Sequence, residues 1–214
     1  MKTHLPSPRR EFDPAEFAIV IALAFGLSVV GSVAMALSYT GREIVFGDAE
    51  LWGTVAYELI FGAAVWAILR ARGWAWSDLA VHPSKGSTVL GVILAVAILL
   101  VWLAFEALIG KVPAAMQGGL LSVLVISIVN PLFEELLVLG YVVQALRQRF
   151  GLTIAVNASL ALRLVYHLYQ GPMAVIPIAF FGMVVTLVYV RMGRLWPAIV
   201  AHAIVDFAAL AGWF

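Results

Sequence analysis

Residues 120–146 read LLSVLVISIVNPLFEELLVLGYVVQAL, an apolar stretch of 27 residues whose only charged side chains are Glu134 and Glu135. An α-helix rises 1.5 Å per residue, so a helix of this length would measure about 40 Å. It could therefore cross the hydrocarbon core of a bilayer, which is roughly 30 Å thick. We predict a transmembrane helix that carries two glutamates at bilayer depth.

The composition of the whole chain agrees with a membrane protein. Hydrophobic residues make up 64% of the 214 residues and charged residues 12%, and the mean hydropathy is +1.03. A soluble domain would lack the polar residues to cover its surface. The net charge of +1 without a basic run gives no sign of nucleic-acid binding, and the absence of cysteine excludes disulfides and thiolate chemistry. We predict an all-α, polytopic membrane protein.

Apolar stretches of spanning length recur along the chain and predict about seven transmembrane helices. The fifth is short and is assigned from its context. The stretches cover residues 17–37, 51–69, 89–108, 120–146, 153–168, 173–189 and 195–214. We expect a single integral membrane domain over residues 1–214, with a motif-bearing catalytic core over 120–214.

The basic residues predict the orientation, because short cytoplasmic loops hold an excess of Lys and Arg. Of the 13 basic residues, Arg42 and Lys111 fall on one side of the predicted membrane and Arg163 lies within a span. The other side holds Lys2, Arg9, Arg10, Arg70, Arg72, Lys85, Arg147, Arg149, Arg191 and Arg194. We therefore expect an integral membrane protein with a cytoplasmic N-terminus; as its location we expect the bacterial plasma membrane.

One loop on that side is rich in aromatic and apolar residues. Trp74, Trp76, Leu79 and Val81 follow the second span closely. Tryptophan is enriched at membrane interfaces, so we expect this segment to lie on the membrane as an anchor.

Three of the predicted spans each carry two ionisable residues, and each such residue costs at least about 2.5–3.5 kcal/mol on insertion scales. Span four carries Glu134 and Glu135. In the fifth span Arg163 and His167 are four residues apart, as are His202 and Asp206 in the seventh. Residues four apart share one face of a helix. By helical rise, the acids and imidazoles lie at similar depths of about 12–21 Å, so we predict that they form one intramembrane site.

A structural role is the alternative for each of these residues taken singly. A lone buried histidine often serves helix packing, and the grouping on three helices is what favours a site. Glu58 and Glu106 have no partner in their own helices, so we expect a structural hydrogen bond or a position at the end of a span. Tyr166 and Tyr169 adjoin the predicted site.

These motifs resemble those of the CPBP intramembrane proteases, which include the CAAX prenyl endopeptidases and bacterial bacteriocin-processing or self-immunity (Abi) proteins. The family pattern is EExxxR, then FxxxH, then HxxxN or HxxxD. Glu134-Glu135, His167 and His202-Asp206 match it in order and spacing over roughly residues 120–214. Two positions depart from the pattern, since Leu139 replaces the arginine and Arg163 replaces the phenylalanine.

The resemblance implies a conical helical bundle with a peptidase site inside the membrane. It implies that Glu134 and His167 activate a water molecule, that His202 and Asp206 stabilise the oxyanion, and that Glu135 organises the site through an arginine. Because an arginine neutralises a buried carboxylate, we hypothesise that Arg163 pairs with Glu135 in place of the missing residue.

The resemblance also implies the partners: the lipid bilayer and a hydrophobic, lipidated or membrane-associated peptide substrate. Two histidines and a carboxylate would suit zinc, with Glu135 as the base, but they do not form an HExxH motif. We expect no obligatory metal, with zinc as the candidate if one is required.

Two other functions fit parts of the pattern. A non-proteolytic scaffold or immunity protein with the same fold would explain the missing arginine. Intramembrane acids and histidines also serve proton-coupled transporters, although no inverted repeat is visible here.

Overall fold

The computed structural model describes residue 5 and residues 11–38, 45–109 and 115–212. Its helices confirm the all-α polytopic prediction: five are long and apolar enough to cross a membrane, and two apolar helices are shorter. The helices are α1 Pro14–Leu37, α2 Asp48–Ala71, α3 Lys85–Ile109, α4 Leu120–Phe150, α5 Leu152–Tyr166, α6 Val175–Met192 and α7 Trp196–Leu210.

Helix α4 is the centre of the bundle. In the most apolar part of α4, 61% of the residues are buried inside the protein, compared with 17–22% in α1, α2 and α3. The latter helices therefore turn most of their apolar surface towards lipid. Pro131 lies within α4, and the segment Glu135–Val143 is π-helical. Such wide turns occur often at functional sites, and this one begins at one of the two glutamates.

Two short strands, which the sequence did not predict, join the starts of α2 and α4. Val45–Gly47 (β1) pairs in parallel with Ala115–Gln117 (β2). Beside this pair, the Asp48 carboxylate accepts hydrogen bonds from the backbone N–H of Gly119, at 2.8 Å, and from the hydroxyl of Ser122. Gly119 has no side chain to cap α4, so Asp48 of the neighbouring helix fulfils that role.

The loop between α2 and α3 differs from the predicted interfacial anchor. Trp74 and Leu79 are buried within the protein, whereas Trp76 is exposed and stacks on Trp66 with ring centroids 3.8 Å apart. The Trp74 indole N–H donates to the Glu16 carboxylate at 2.9 Å. The prediction was therefore wrong for Trp74, whose indole is satisfied by a buried partner from α1, and for Leu79, which packs in the apolar cluster of the bundle.

The end of α5 positions the first predicted histidine. With 15 residues, α5 is about 22 Å long and ends at Tyr166, next to His167, short of a full bilayer crossing. Two single turns of 3₁₀-helix follow, Leu168–Gln170 and Pro172–Ala174. Irregular backbone at membrane depth must find partners within the protein, and the Tyr169 N–H donates to the Ser32 hydroxyl at 2.9 Å.

Helices α3 and α7 pack closely through small residues. Ala95 is fully buried, and a Cβ atom placed on Gly91 would lie 2.6 Å from Cβ of Val200 and 2.9 Å from the carbonyl oxygen of Pro197. Gly91 and Ala95 are four residues apart and so form the small-xxx-small pattern of close membrane helix pairs. This contact holds in place the helix that carries His202.

We expect Gly91→Ala to destabilise the protein by about 1–3 kcal/mol, because the new methyl group overlaps α7. The measurement is thermal unfolding of the purified protein in detergent. Gly86→Ala is the matched control, since Gly86 lies on the same helix with nothing within 4 Å of the added atom. Equal stability of the two variants would contradict this account of the α3–α7 contact.

Candidate active site

Four helices bring polar side chains into one layer of the bundle. The layer separates two apolar clusters, one of which is formed by the Leu51–Val55 end of α2 with Val123 and Ile126 of α4. The larger cluster fills the rest of the bundle. The members of the polar layer are Glu58 from α2, Asn130, Glu134 and Glu135 from α4, Arg163, Tyr166 and His167 at the end of α5, and His202 and Asp206 from α7.

Glu135 and Arg163 form the buried centre of this layer. The Nη2 atom of Arg163 lies 2.7 Å from Oε1 of Glu135, and both side chains are almost completely buried. The same carboxylate oxygen is 2.7 Å from Nδ1 of His202. The ion pair hypothesised from the sequence is thus present, and α5 supplies the cation that the family motif places on α4.

Glu134 is surrounded by hydrogen-bond donors. Its Oε2 atom accepts from the Tyr166 hydroxyl at 2.7 Å and lies 3.4 Å from Nη1 of Arg163. Its Oε1 atom is 3.3 Å from Nδ2 of Asn130. Nε2 of His167 is 3.9 Å from Oε2, too far for a direct hydrogen bond. Glu134 and His167 therefore lie close enough for one water molecule beside them to contact both.

Arg163 fits because α6 leaves room for it. A Cβ atom on Gly182 would come within 2.9 Å of the Arg163 side chain, and the Phe181 ring lies 5.3 Å from the guanidinium carbon. That ring is also 4.8 Å from the imidazole of His202. Leu139, which occupies the position of the family arginine, is completely buried in the apolar cluster. The positive charge has moved from one helix to the next and still reaches both glutamates.

His202 bridges two carboxylates. Its Nε2 atom is 3.3 Å from Oδ1 of Asp206, while Nδ1 faces Glu135. An imidazolium ring, with both nitrogens protonated, satisfies both acids. The side chains of His167 and Asp206 are 18% and 24% exposed, more than the other ion-paired groups of the layer. The layer therefore opens on the side of these two residues.

Three members of this layer were not predicted as site residues. Nδ2 of Asn130 lies 3.1 Å from Oε1 of Glu58 and so connects that glutamate with Glu134. Tyr166, expected only to adjoin the site, contacts Glu134 directly. The signal for Glu58 was its charge in the middle of a span, but the sequence gives no partner on another helix. Glu106 is not among the partners of the described site residues.

The donor set does not fit a metal ion. Within the described residues no group of three or more His, Asp or Glu side chains is arranged to hold one. Both nitrogens of His202 face carboxylates, and the Arg163 guanidinium occupies the space between Glu134 and Glu135. A cation in that space would repel a divalent ion.

The fold and the site define a class: a helical membrane protein with carboxylates, imidazoles and one guanidinium buried in its core. Residues 115–208 match the family model described as Type II CAAX prenyl endopeptidase Rce1-like, and this is the family that the motifs in this part of the chain resemble. The searches of curated proteins and of solved structures gave no match.

We expect Arg163→Met to lower the free energy of unfolding by roughly 3–5 kcal/mol, because it leaves Glu134 without its arginine and Glu135 with His202 alone. Arg163→Lys recovers only part of the loss, since an ammonium group cannot contact both carboxylates as a planar fork does. The measurement is unfolding of the purified protein in detergent. Arg149→Met, at an exposed position of α4, is the control. Native stability of Arg163→Met would contradict the role of the ion pair.

Proposed function

We propose that the protein is an intramembrane endopeptidase that cleaves a hydrophobic, lipidated or membrane-associated peptide with a water molecule activated by Glu134 and His167. The observation that carries the proposal is the 3.9 Å separation of the Glu134 carboxylate and the His167 ring beside the open side of the layer. The family match supports a peptidase of the CAAX type.

The contacts of His167 support an orienting role in the reaction. Nε2 of Gln170 lies 3.3 Å from Nδ1, and because an amide nitrogen only donates, Nδ1 is the acceptor in this proposal and Nε2 carries the ring proton. Nε2 then donates to the oxygen of the water molecule and orients it. Glu134, held as an anion by the positive charge of Arg163, accepts the proton as the water attacks the peptide carbonyl.

The developing oxyanion requires a donor that is already in place. His202 supplies it in this proposal, because the 3.3 Å contact of its Nε2–H with Asp206 is long and lies towards the open side. Asp206 and Glu135 keep the imidazolium ring oriented and charged. Arg163 takes the place of the family arginine by holding Glu135 and Glu134 together.

The orientation predicted from the basic residues gives the depth of the proposed site in the membrane. With the N-terminus in the cytoplasm, α5 rises from the cytoplasmic side and His167 lies beyond the middle of the membrane. The bilayer is then a partner of the reaction, since it presents the peptide to the open side of the layer.

The scaffold and transporter alternatives differ from this proposal in one respect. Both retain the fold, but neither needs Glu134 and His167 to lie within reach of the same water molecule. The motif departure at Leu139, which favoured a scaffold, is balanced by the Arg163 contact.

We expect new protein termini in membranes of cells that express the native chain. Glu134→Gln and His167→Ala should each reduce them by about 10²-fold or more, because they remove the base and the residue that orients the water. The measurement is a comparison of protein termini at matched expression levels. Glu106→Gln is the control for loss of a glutamate within a span. Termini that persist in Glu134→Gln, with the protein folded, would contradict the proposal.

We expect cleavage by the purified protein to continue after treatment with a chelator, because the proposed base and oxyanion donor are side chains of the protein itself. The measurement is the initial rate before treatment, after it, and after addition of zinc or magnesium. Loss of activity that zinc alone restores would overturn the expectation of no obligatory metal.

A further inference from the structure

Glu58 is a buried carboxyl group without a role in the reaction described so far. It lies in the middle of α2, and its side chain is 6% exposed. One turn further along, Gly62 lets the two helices approach, since a Cβ atom there would lie 3.2 Å from the Phe133 ring of α4. The close approach holds the Glu58 carboxyl group in the polar layer of the site.

The two oxygens of Glu58 have different surroundings. Oε1 accepts from Nδ2 of Asn130 at 3.1 Å, and the same nitrogen is 3.3 Å from Glu134. Oε2 is buried and has no hydrogen-bond partner within the part of the chain that the structure describes. Oε2 of Glu135 is likewise buried without a partner, but Oε1 of that residue lies 2.7 Å from both Arg163 and His202, whose positive charges keep the carboxylate ionised. Glu58 takes part in none of the ion pairs of the described layer, so a charge on its carboxyl group would be strongly unfavourable, whereas a protonated carboxyl group carries no charge.

The neighbouring carboxylate favours a proton on Glu58. Glu134 shares the side-chain amide of Asn130 with Glu58, so the two acids lie close together. Like charges disfavour a second carboxylate at such a position. Oε1 accepts the hydrogen bond from Asn130, so the proton of the carboxyl group lies on Oε2.

We propose that Glu58 is a second acid–base group of this site and that its Oε2 atom carries the proton that the leaving amine receives. Both oxygens of Glu134 accept hydrogen bonds. These bonds hold the carboxylate in place to take a proton from water, but they oppose its rotation towards the amine. Oε2 of Glu58 accepts no hydrogen bond from the described residues, so no donor opposes its movement towards the amine. This inference rests on the proposed peptidase function.

The proposed step balances in protons and electrons. As the C–O bond forms, Glu134 takes one proton of the water molecule and the carbonyl becomes an oxyanion. When the C–N bond breaks, its electron pair stays on nitrogen, which takes the proton from Oε2 of Glu58. The products are a carboxylic acid and an amine, with Glu134 protonated and Glu58 ionised. Transfer of the proton from Glu134 to Glu58 through water restores the starting state.

The first test detects the proton on Glu58 and needs no substrate. The infrared spectrum of the native protein in lipid nanodiscs is compared with that of Glu58→Gln, whose amide oxygen still accepts from Asn130. We expect the carbonyl stretch of a protonated carboxyl group to disappear in Glu58→Gln and to remain in the control Glu106→Gln. Absence of that band from the native protein at neutral pH would overturn the proposal whatever the activity.

The second test uses the peptide identified by the comparison of termini, together with its ester analogue at the scissile bond. The alcohol that leaves from an ester depends less on protonation by an acid than the amine that leaves from an amide. We expect Glu58→Gln to lower kcat for the amide by about 10²-fold or more and to affect the ester far less, with KM unchanged. A structural defect would reduce both substrates alike.

The outcomes separate this inference from the proposed function. Equal loss on amide and ester, or native amide cleavage by Glu58→Gln, would overturn the role of Glu58 while Glu134-dependent cleavage stands. No cleavage by the native chain would remove the proposed function, and the donor role would fall with it even if the infrared band is present.

Discussion

The contact of Arg163 with Glu134 and Glu135 is the constraint on which the rest of the structure depends. Adjacent residues of an α-helix point about 100° apart, so two consecutive glutamates cannot share one small partner easily. The forked guanidinium of Arg163 reaches 2.7 Å from one and 3.4 Å from the other. Without such a cation two charges would be buried at membrane depth, which the bilayer does not tolerate.

This requirement sets the positions of the neighbouring helices. Helix α5 must pass close to α4, and α6 must present Gly182 where the arginine side chain runs. Helix α7 is bound through His202, and the small residues of α3 hold α7 in turn. The polar layer is thus satisfied mainly from within, and the groups that remain more exposed, His167 and Asp206, mark the side from which water and substrate approach.

The features that could be predicted from the sequence are those that depend on the length of apolar stretches and on the positions of charged residues. Spanning helices follow from long apolar runs, and one site followed from acids and histidines placed four apart at similar depths. The Glu135–Arg163 contact was inferable because a buried carboxylate needs a cation. The link from Glu58 to Asn130 was not, because α2 is apolar on most sides and hydropathy does not tell which face meets α4. The burial of Trp74 depended on Glu16, a partner 58 residues away.

The departure at Leu139 shows which property of the motif matters. The family pattern places an arginine one turn after the paired glutamates, but here that position is completely buried among apolar residues. The site needs a positive charge at a point between two carboxylates, and any helix that reaches this point can supply it. Arg163 does so from α5, where the phenylalanine of the pattern would stand, and Phe181 of α6 packs over its guanidinium. The two departures from the motif therefore compensate each other: the positive charge that the pattern places on α4 is supplied by α5.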